Sequence, residues 1–396
     1  MSFASSATVH LYCTLVACGD CLPAIAQIPV LSGLQGFLKN IGLFKLIYKE
    51  RCDMRFIGCK TLLLEDIKQV IDEKAPDAES LCDIFSGTAT VARYFKQWYR
   101  VYSNDLLYFS YVLQMGTIEN DSVPSFEKLK AELKIDDPID YFNGLEAGDM
   151  ESLPKENRFF QNTYAPTGGR MYMTDENALR IDFARNTVED WKKNELITDN
   201  EYYYLVACLV EGIPFVSNIS GTYGAFHKTW ERRSYKKYEL FRLDVTSNGK
   251  ENRCFNGDGV EVIKELSGDI LYIDPPYNGR QYLPNYHVLE TAAKYDFPEV
   301  RGLTAQRPYE NAKSDFCLKT KVVDAFDRLI QNAQFKHIIL SYSTDGLMTV
   351  EDIEKVMKKY GKPETFKIYW IPYRRYKSRA QGEKEELKEM LVYIEK

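Results

Sequence analysis

The sequence predicts an α/β protein built on an open, doubly wound parallel sheet, interrupted by a mostly helical insert. Between residues 61 and 105 the order is helix, strand, turn, helix, strand and polar pair, the unit from which such sheets grow. Short apolar runs return at residues 269–273, 337–341 and 366–371. The stretch between these two groups, about 112–255, differs in character, being rich in Tyr, Asn, Lys and Glu.

A chain of 396 residues with 45% hydrophobic content can bury one large core beside a smaller module. There is no internal repeat and no low-complexity linker. Lys and Arg number 51 against 57 Asp and Glu, a net charge of -6, so contact with nucleic acid has to rest on local patches. Nine scattered cysteines point to reduced thiols and a cytoplasmic setting. Cys18 and Cys21 form a short-spaced pair, but they lack two further ligands, and His10, His227, His287 and His337 are dispersed, so no metal site is expected. With no run of 18 apolar residues, no membrane partner is expected either.

Residues 1–53 read as an N-terminal extension of unknown role, and Met54 would serve as a start. Within them Leu15-Val16-Ala17-Cys18 resembles a lipoprotein cleavage site but lacks the preceding basic segment. In 61–73, Leu63, Leu64, Ile67, Val70 and Ile71 recur at three-and-four spacing, which predicts an amphipathic helix. A strand over 80–85 breaks at Ser86-Gly87-Thr88, a helix covers 89–98, and a strand over 100–103 ends in Asn104-Asp105. The later half adds a helix at 322–330 and ends on the strand at 366–371. Inside the insert, Gly168-Gly169-Arg170 is followed by a run in which Lys228, Arg232, Arg233, Lys236 and Lys237 alternate with Trp230, Tyr235 and Tyr238. Interleaved cations and rings suit phosphate contact and base stacking, although a solvated helix face with partly buried rings gives the same pattern.

The sharpest chemical signal is Asp274-Pro275-Pro276-Tyr277, directly after an apolar strand, where an open parallel sheet delivers residues into its ligand crevice. Two prolines stiffen the turn and leave carbonyls free. An exocyclic amine presents two hydrogens, which the Asp274 carboxylate and a proline carbonyl can accept, while the Tyr277 ring stacks on an extruded base. A sulfonium methyl held in line could then be attacked without a covalent intermediate. The plain alternative is a tight turn after a buried strand.

With this tetrad the sequence resembles the Dam-like (class alpha) adenine-specific DNA methyltransferases, and within them the FokI-type modification methylases, over about 54–396. The resemblance implies a Rossmann-like S-adenosylmethionine-dependent sheet at 54–111 and 256–396, with a target-recognition domain inserted at 112–255. Arg55-Phe56-Ile57-Gly58-Cys59-Lys60 is similar to the family's N-terminal cofactor motif, giving Phe56 and Lys60 roles at the methionine end of the cofactor. Phe85, Ser86 and Gly87 correspond to its glycine turn, except that Ala89 replaces a glycine, at little cost if the backbone there is helical. The ribose acceptor is Asn104 by spacing or Asp105 by chemistry, and Asp105 is preferred. Asp258 is the candidate for the cofactor's adenine, and Asp274 serves cofactor and catalysis alike. Arg280 and Tyr282 are expected at the base pocket or a phosphate, and Ser341-Tyr342-Ser343 at the pocket wall. Arg232, Arg233, Lys236, Arg374, Arg375, Lys377 and Arg379 are expected to contact DNA.

The function so implied is base-flipping N6-methylation of adenine in double-stranded DNA, as the modification half of a restriction-modification system with a companion endonuclease at the same site. A cytoplasmic monomer or weak dimer is expected. Amino-methylation of RNA or protein is the alternative within the chemistry, disfavoured by the large insert. A catalytically silent DNA-binding relative is disfavoured by the intact Asp274 and Tyr277.

Overall fold

A computed structural model describes residues 60–372 and 388–396. Helix α1 (Leu64–Lys74) follows a single 3-10 turn and buries Leu64, Ile67, Val70 and Ile71, the predicted stripe. Glu65 and Asp66 in its first turn and Lys74 in its last complement the helix dipole. Strand β1 (Ser80–Asp83) is buried throughout, as a central parallel strand must be. The Asp269 carboxylate fastens its start, accepting the Glu79 and Ser80 amides at 3.0 and 2.9 Å and the Ser80 hydroxyl at 2.7 Å. Helix α2 (Thr90–Phe95) is shorter than expected, and β2 (Arg100–Asp105) is longer, taking Asn104 and Asp105 into the strand.

A helical segment follows: α3 (Tyr108–Gln114), running into a π-helical turn at Met115–Glu119, then α4 (Glu127–Leu133), α5 (Pro138–Gly144), α6 (Phe159–Tyr164), α7 (Asp175–Lys193) and α8 (Asp199–Val216). The two long helices start at threonine caps, Thr174 on the Asn177 amide and Thr198 in a capping box with Glu201. Short β3 (Arg253–Asn256) and α9 (Gly259–Val262) lead back to β4 (Ser267–Ile273). Then come α10 (Tyr282–Lys294), α11 (Val322–Asn332), β5 (Gln334–Ser343), α12 (Val350–Tyr360), β6 (Lys367–Pro372) and β7 (Lys388–Glu395).

The seven strands form one sheet in the order β3-β2-β1-β4-β5-β7-β6. Neighbours from β3 to β5 are parallel, while β7 runs antiparallel between β5 and β6. Alternate residues bury against two layers. Leu81, Ile270, Ile339 and Leu391 join α1 and α2, whereas Cys82, Leu271, Ile338 and Val392 join α11 and α12. The helical segment shares a third core with α10, through Leu283, Val288 and Leu289.

Two elements depart from the sequence reading. The strand at 366–371 is not the last: β7 passes inside it, its Met390–Ile394 run buried on both faces but masked in the sequence by the charges preceding it. Strand β3 is absent from the prediction because it is a half-exposed edge without an apolar run. Ala89 also departs from expectation. Its backbone is left-handed, at φ 61, rather than the right-handed helix that would make alanine cheap there.

Relief of the left-handed conformation in Ala89→Gly, about 1 kcal/mol, is offset by chain entropy and the lost methyl contact. That variant therefore stays within about 1 kcal/mol of the parent in urea unfolding. Ala89→Val, which places a β-branched side chain in the same region, loses about 2 kcal/mol or more.

Candidate active site

From β1 the chain winds outward to β2 and β3, then returns to build β4 and β5 on the other side. The carboxyl ends of β1 and β4 therefore flank a topological switch point, where adjacent loops diverge and leave a crevice. A cleft of about 1000 Å³, partly open to solvent, lies there. Its walls include Asp83 at the end of β1, Phe85, Ser86 and Gly87 from the turn after it, Asp105 from β2, Asp258, and Asp274 to Tyr277 from the corner after β4.

Lys60, 5% exposed at its side chain, reaches Asp274 with a 2.9 Å ion pair and stands 5.8 Å from the Tyr277 ring centre. Burial alone would favour a neutral amine, but the carboxylates of Asp274 and Glu389 outweigh it and hold the ammonium above its ordinary range. Burial also raises Asp274, and Lys60 opposes that rise. The far side of the corner is pinned as well. The Leu347 amide donates to the Tyr277 carbonyl at 3.0 Å, and Tyr342 packs edge-on against the Tyr277 ring at 6.2 Å. Tyr342 is fully buried and its hydroxyl accepts the Met348 amide at 3.1 Å, so it backs Tyr277 rather than forming the expected pocket wall.

At the β1 end, Gly87 takes φ 54, and its amide donates to Asp105 Oδ2 at 2.8 Å. The other Asp105 oxygen accepts the Leu107 amide at 2.9 Å, and burial lifts this carboxyl to about 6. Asn104 is occupied otherwise. Its amide donates to the Ile84 and Gly257 carbonyls at 3.0 and 3.1 Å and accepts the Gly257 amide at 3.1 Å, bridging the ends of three strands. It is absent from the cleft walls, whereas Asp105 lines them. Asp258 caps α9 by accepting the Val260 amide at 2.9 Å and also lines the cleft. Phe85 stacks edge-on against Phe316 at 4.9 Å.

Asp83 went unassigned in the sequence, although a carboxylate inside the apolar run 81–85 was its signal. One oxygen accepts the Ser86 hydroxyl at 3.0 Å, while the other is buried and makes no hydrogen bond among the described residues. Burial, reinforced by Asp274 and Asp105 against the Ser86 hydrogen bond, raises its carboxyl to about 7. Among the described residues, four carboxyl groups and one cation, Lys60, thus line the cleft. Such a field suits a positively charged ligand and opposes phosphate.

The residues expected on DNA are differently placed. Tyr282 lines the cleft, and Arg280 is exposed beside it, its amide donating to Asn278 Oδ1 at 3.0 Å. Gln281 locks this exit to Ser314 through paired bonds of 3.0 and 2.8 Å. Arg232 and Lys236 face solvent. Arg233 is half-buried, paired with Glu231 at 2.8 Å and donating to the Ile219 carbonyl, so its guanidinium clasps its own loop. Tyr238 is likewise buried, with its hydroxyl on the Leu209 carbonyl at 2.8 Å. Phe56, Arg374, Arg375, Lys377 and Arg379, and the Cys18–Cys21 pair, lie outside the described residues.

A sheet of this order, with a carboxylate-lined cleft and an Asp-Pro-Pro-Tyr corner at its switch point, is the fold of S-adenosylmethionine-dependent methyltransferases. The chain belongs to the D12 class N6 adenine-specific DNA methyltransferase family, whose model matches residues 56–356. It is 49% identical over 347 residues to Type II methyltransferase M.FokI of Planomicrobium okeanokoites, covering 87% of this chain and 53% of that protein. Modification methylase StsI of Streptococcus sanguinis is 43% identical over 344 residues, covering 87% and 52%. Type II methyltransferase M.NlaIII of Neisseria lactamica is 35% identical over 333 residues, covering 82% and 93%. The chain spans about half the length of the first two relatives. Membership of the family implies a methyl donor. Among the described residues, no helix is long and apolar enough to cross a membrane.

Asn104 and Asp105 both hold backbone groups, so removing either costs stability. Asn104→Ala strands buried backbone groups and costs about 1–3 kcal/mol in chemical denaturation. Asp105→Asn keeps one acceptor but turns an NH2 toward either the Gly87 or the Leu107 amide, and it too costs about 1–3 kcal/mol.

Proposed function

We propose that this chain is an S-adenosylmethionine-dependent DNA methyltransferase that modifies adenine at N6 within a specific site. The observation that carries this reading is the Asp274–Tyr277 corner opening onto the cleft with Asp274 paired to the buried Lys60. The cleft's charge supports the cofactor: a ligand with a sulfonium and an ammonium suits an excess of carboxylates, whereas a dinucleotide pyrophosphate does not. The unsatisfied Asp83 oxygen offers an acceptor for the ammonium, and Asp105 one for ribose hydroxyls. Asp258 and Phe85 complete the adenosine end of this assignment, and Phe56 joins Lys60 at the methionine end. When bound, S-adenosylmethionine supplies a methyl group made electrophilic by its sulfonium.

The protein's part is to present the nucleophile. Asp274 and a proline carbonyl accept the two amine hydrogens, which raises electron density on nitrogen and orients its lone pair. Lys60 opposes the rise that burial gives the Asp274 pKa and so favours its ionised form. Tyr277, braced by Tyr342, offers its ring to the flipped base, and Tyr282 closes the same opening. In this reading residues 54–111 and 256–396 form the catalytic part and 112–255 read the target. Arg280, Arg232 and Lys236, with the cations at 374–379, hold the phosphates. The setting is the cytoplasm, as a monomer or weak dimer, beside an endonuclease of the same specificity.

Tritium transfer from labelled cofactor onto duplex DNA, RNA and protein tests the reading, with long-read sequencing of host DNA to locate the modified base. Methyladenine at one sequence motif is expected, and incorporation into RNA or protein alone would overturn it. Asp274→Ala retains DNA binding while turnover falls on the order of a thousandfold. Lys60→Met removes the charge that lowers the Asp274 pKa. The acid limb of its pH-rate profile therefore moves to higher pH, while Lys60→Arg leaves it near the parent position.

A further inference from the structure

The most exposed large hydrophobic side chain among the described residues is Leu303, at 76%. It stands at the tip of a short hairpin closed by reciprocal backbone bonds between Arg301 and Gln306, at 2.8 and 2.9 Å. The loop between them, Gly302 to Ala305, begins and ends on left-handed residues, at φ 72 and φ 51. Ala305 is fully buried, so the strained end of the loop is anchored and only its tip projects.

The tip is held from beneath by one guanidinium. Arg170 donates to the Leu303 and Gly302 carbonyls at 3.0 and 3.2 Å, and to the Thr163 and Gly168 carbonyls at 2.9 and 3.2 Å. The Tyr172 hydroxyl lies 3.0 Å from the Thr304 carbonyl, sharing its one hydrogen with the Tyr223 carbonyl at 2.7 Å. Behind the hairpin, Arg307 is ion-paired with Asp296 at 2.6 Å. A loop whose Gly302, Leu303 and Thr304 carbonyls are engaged, yet whose leucine is left in water, is held for a reason other than packing that leucine.

Its place is beside the cleft. The Gln306 side chain donates to the Pro284 carbonyl at 3.2 Å, and Pro284 lies two residues beyond the cleft-lining Tyr282. After the hairpin the chain returns to the cleft wall at Ala312, Ser314 and Cys317. The exposed cations adjoin the same support. Asn218 takes the Tyr172 carbonyl through its amide at 2.7 Å and holds the loop bearing Lys228 and Arg232 through His227 and Glu231. Arg301 at the hairpin base is exposed as well.

Resting on the function proposed above, we infer that Leu303 is a wedge: its side chain enters the duplex where the target adenine leaves and fills the space beside the orphaned partner base. An apolar side chain gains by insertion between base steps and loses by standing in water, and a braced backbone delivers it without ordering cost. Arg170 is the positioning residue that aims it.

The test uses the full chain and two duplexes carrying the site located by sequencing, one fully paired and one with the target adenine opposite an abasic position. Leu303→Ala is expected to slow methyl transfer on the paired duplex by roughly tenfold or more, and on the abasic duplex by less than about threefold, because no partner base then holds the adenine. With 2-aminopurine at the target position, the fluorescence rise on binding is expected to shrink in the variant. Arg170→Lys should show the same selective loss in milder form. Equal loss on both duplexes, or no loss on either, overturns the wedge. Should the parent protein methylate neither duplex, it is the underlying function that fails, and that arm distinguishes the two.

Discussion

The 2.9 Å ion pair between Lys60 and Asp274 is the contact on which the site depends. A carboxylate at the end of a buried strand, between two prolines and a cluster of other acids, would tend to take up a proton and cease to be a pure acceptor. The buried Lys60 ammonium opposes this. It does so from a residue more than two hundred positions earlier, just before the first described helix. Burying both charges is costly, and removal of either leaves the other uncompensated. The arrangement therefore makes sense as chemistry rather than as a contribution to stability.

Around this pair the polar residues divide by what they touch. Asn104, Arg233 and Asp269 satisfy backbone groups or neighbouring charges and hold elements together. Asp83, Asp105 and Asp258 keep capacity facing the cleft. Neighbouring residues can fall on opposite sides of this division. Successive side chains of a strand point to opposite faces, so Asn104 turns into the strand ends while Asp105 meets the glycine turn. Burial raises the Asp83 and Asp105 carboxyls that face the cavity, the mark of groups held there for a ligand rather than for the fold.

The same logic extends to the outer surface. Of the basic-aromatic run, Tyr238 and Arg233 are used internally, leaving Arg232 and Lys236 in solvent. Position in a run does not tell which cation is spent on the protein's own carbonyls. Nor does composition mark Leu303, an ordinary leucine until the hairpin, its Arg170 support and its exposure are known.

By itself the sequence determined the parallel α/β frame, the first helix and strand pair, and the Asp-Pro-Pro-Tyr corner, because each is a local pattern: apolar periodicity, or residues whose chemistry is set by their immediate neighbours. It left open which of Asn104 and Asp105 faces the cleft, missed β3 and β7, and assumed a right-handed backbone at Ala89. Those features, with the Lys60 pairing and the exposure of Leu303, were decided only by tertiary structure. Each arises where segments far apart in the chain meet and compete for the same hydrogen bonds, charge or burial, and no window of sequence contains both competitors.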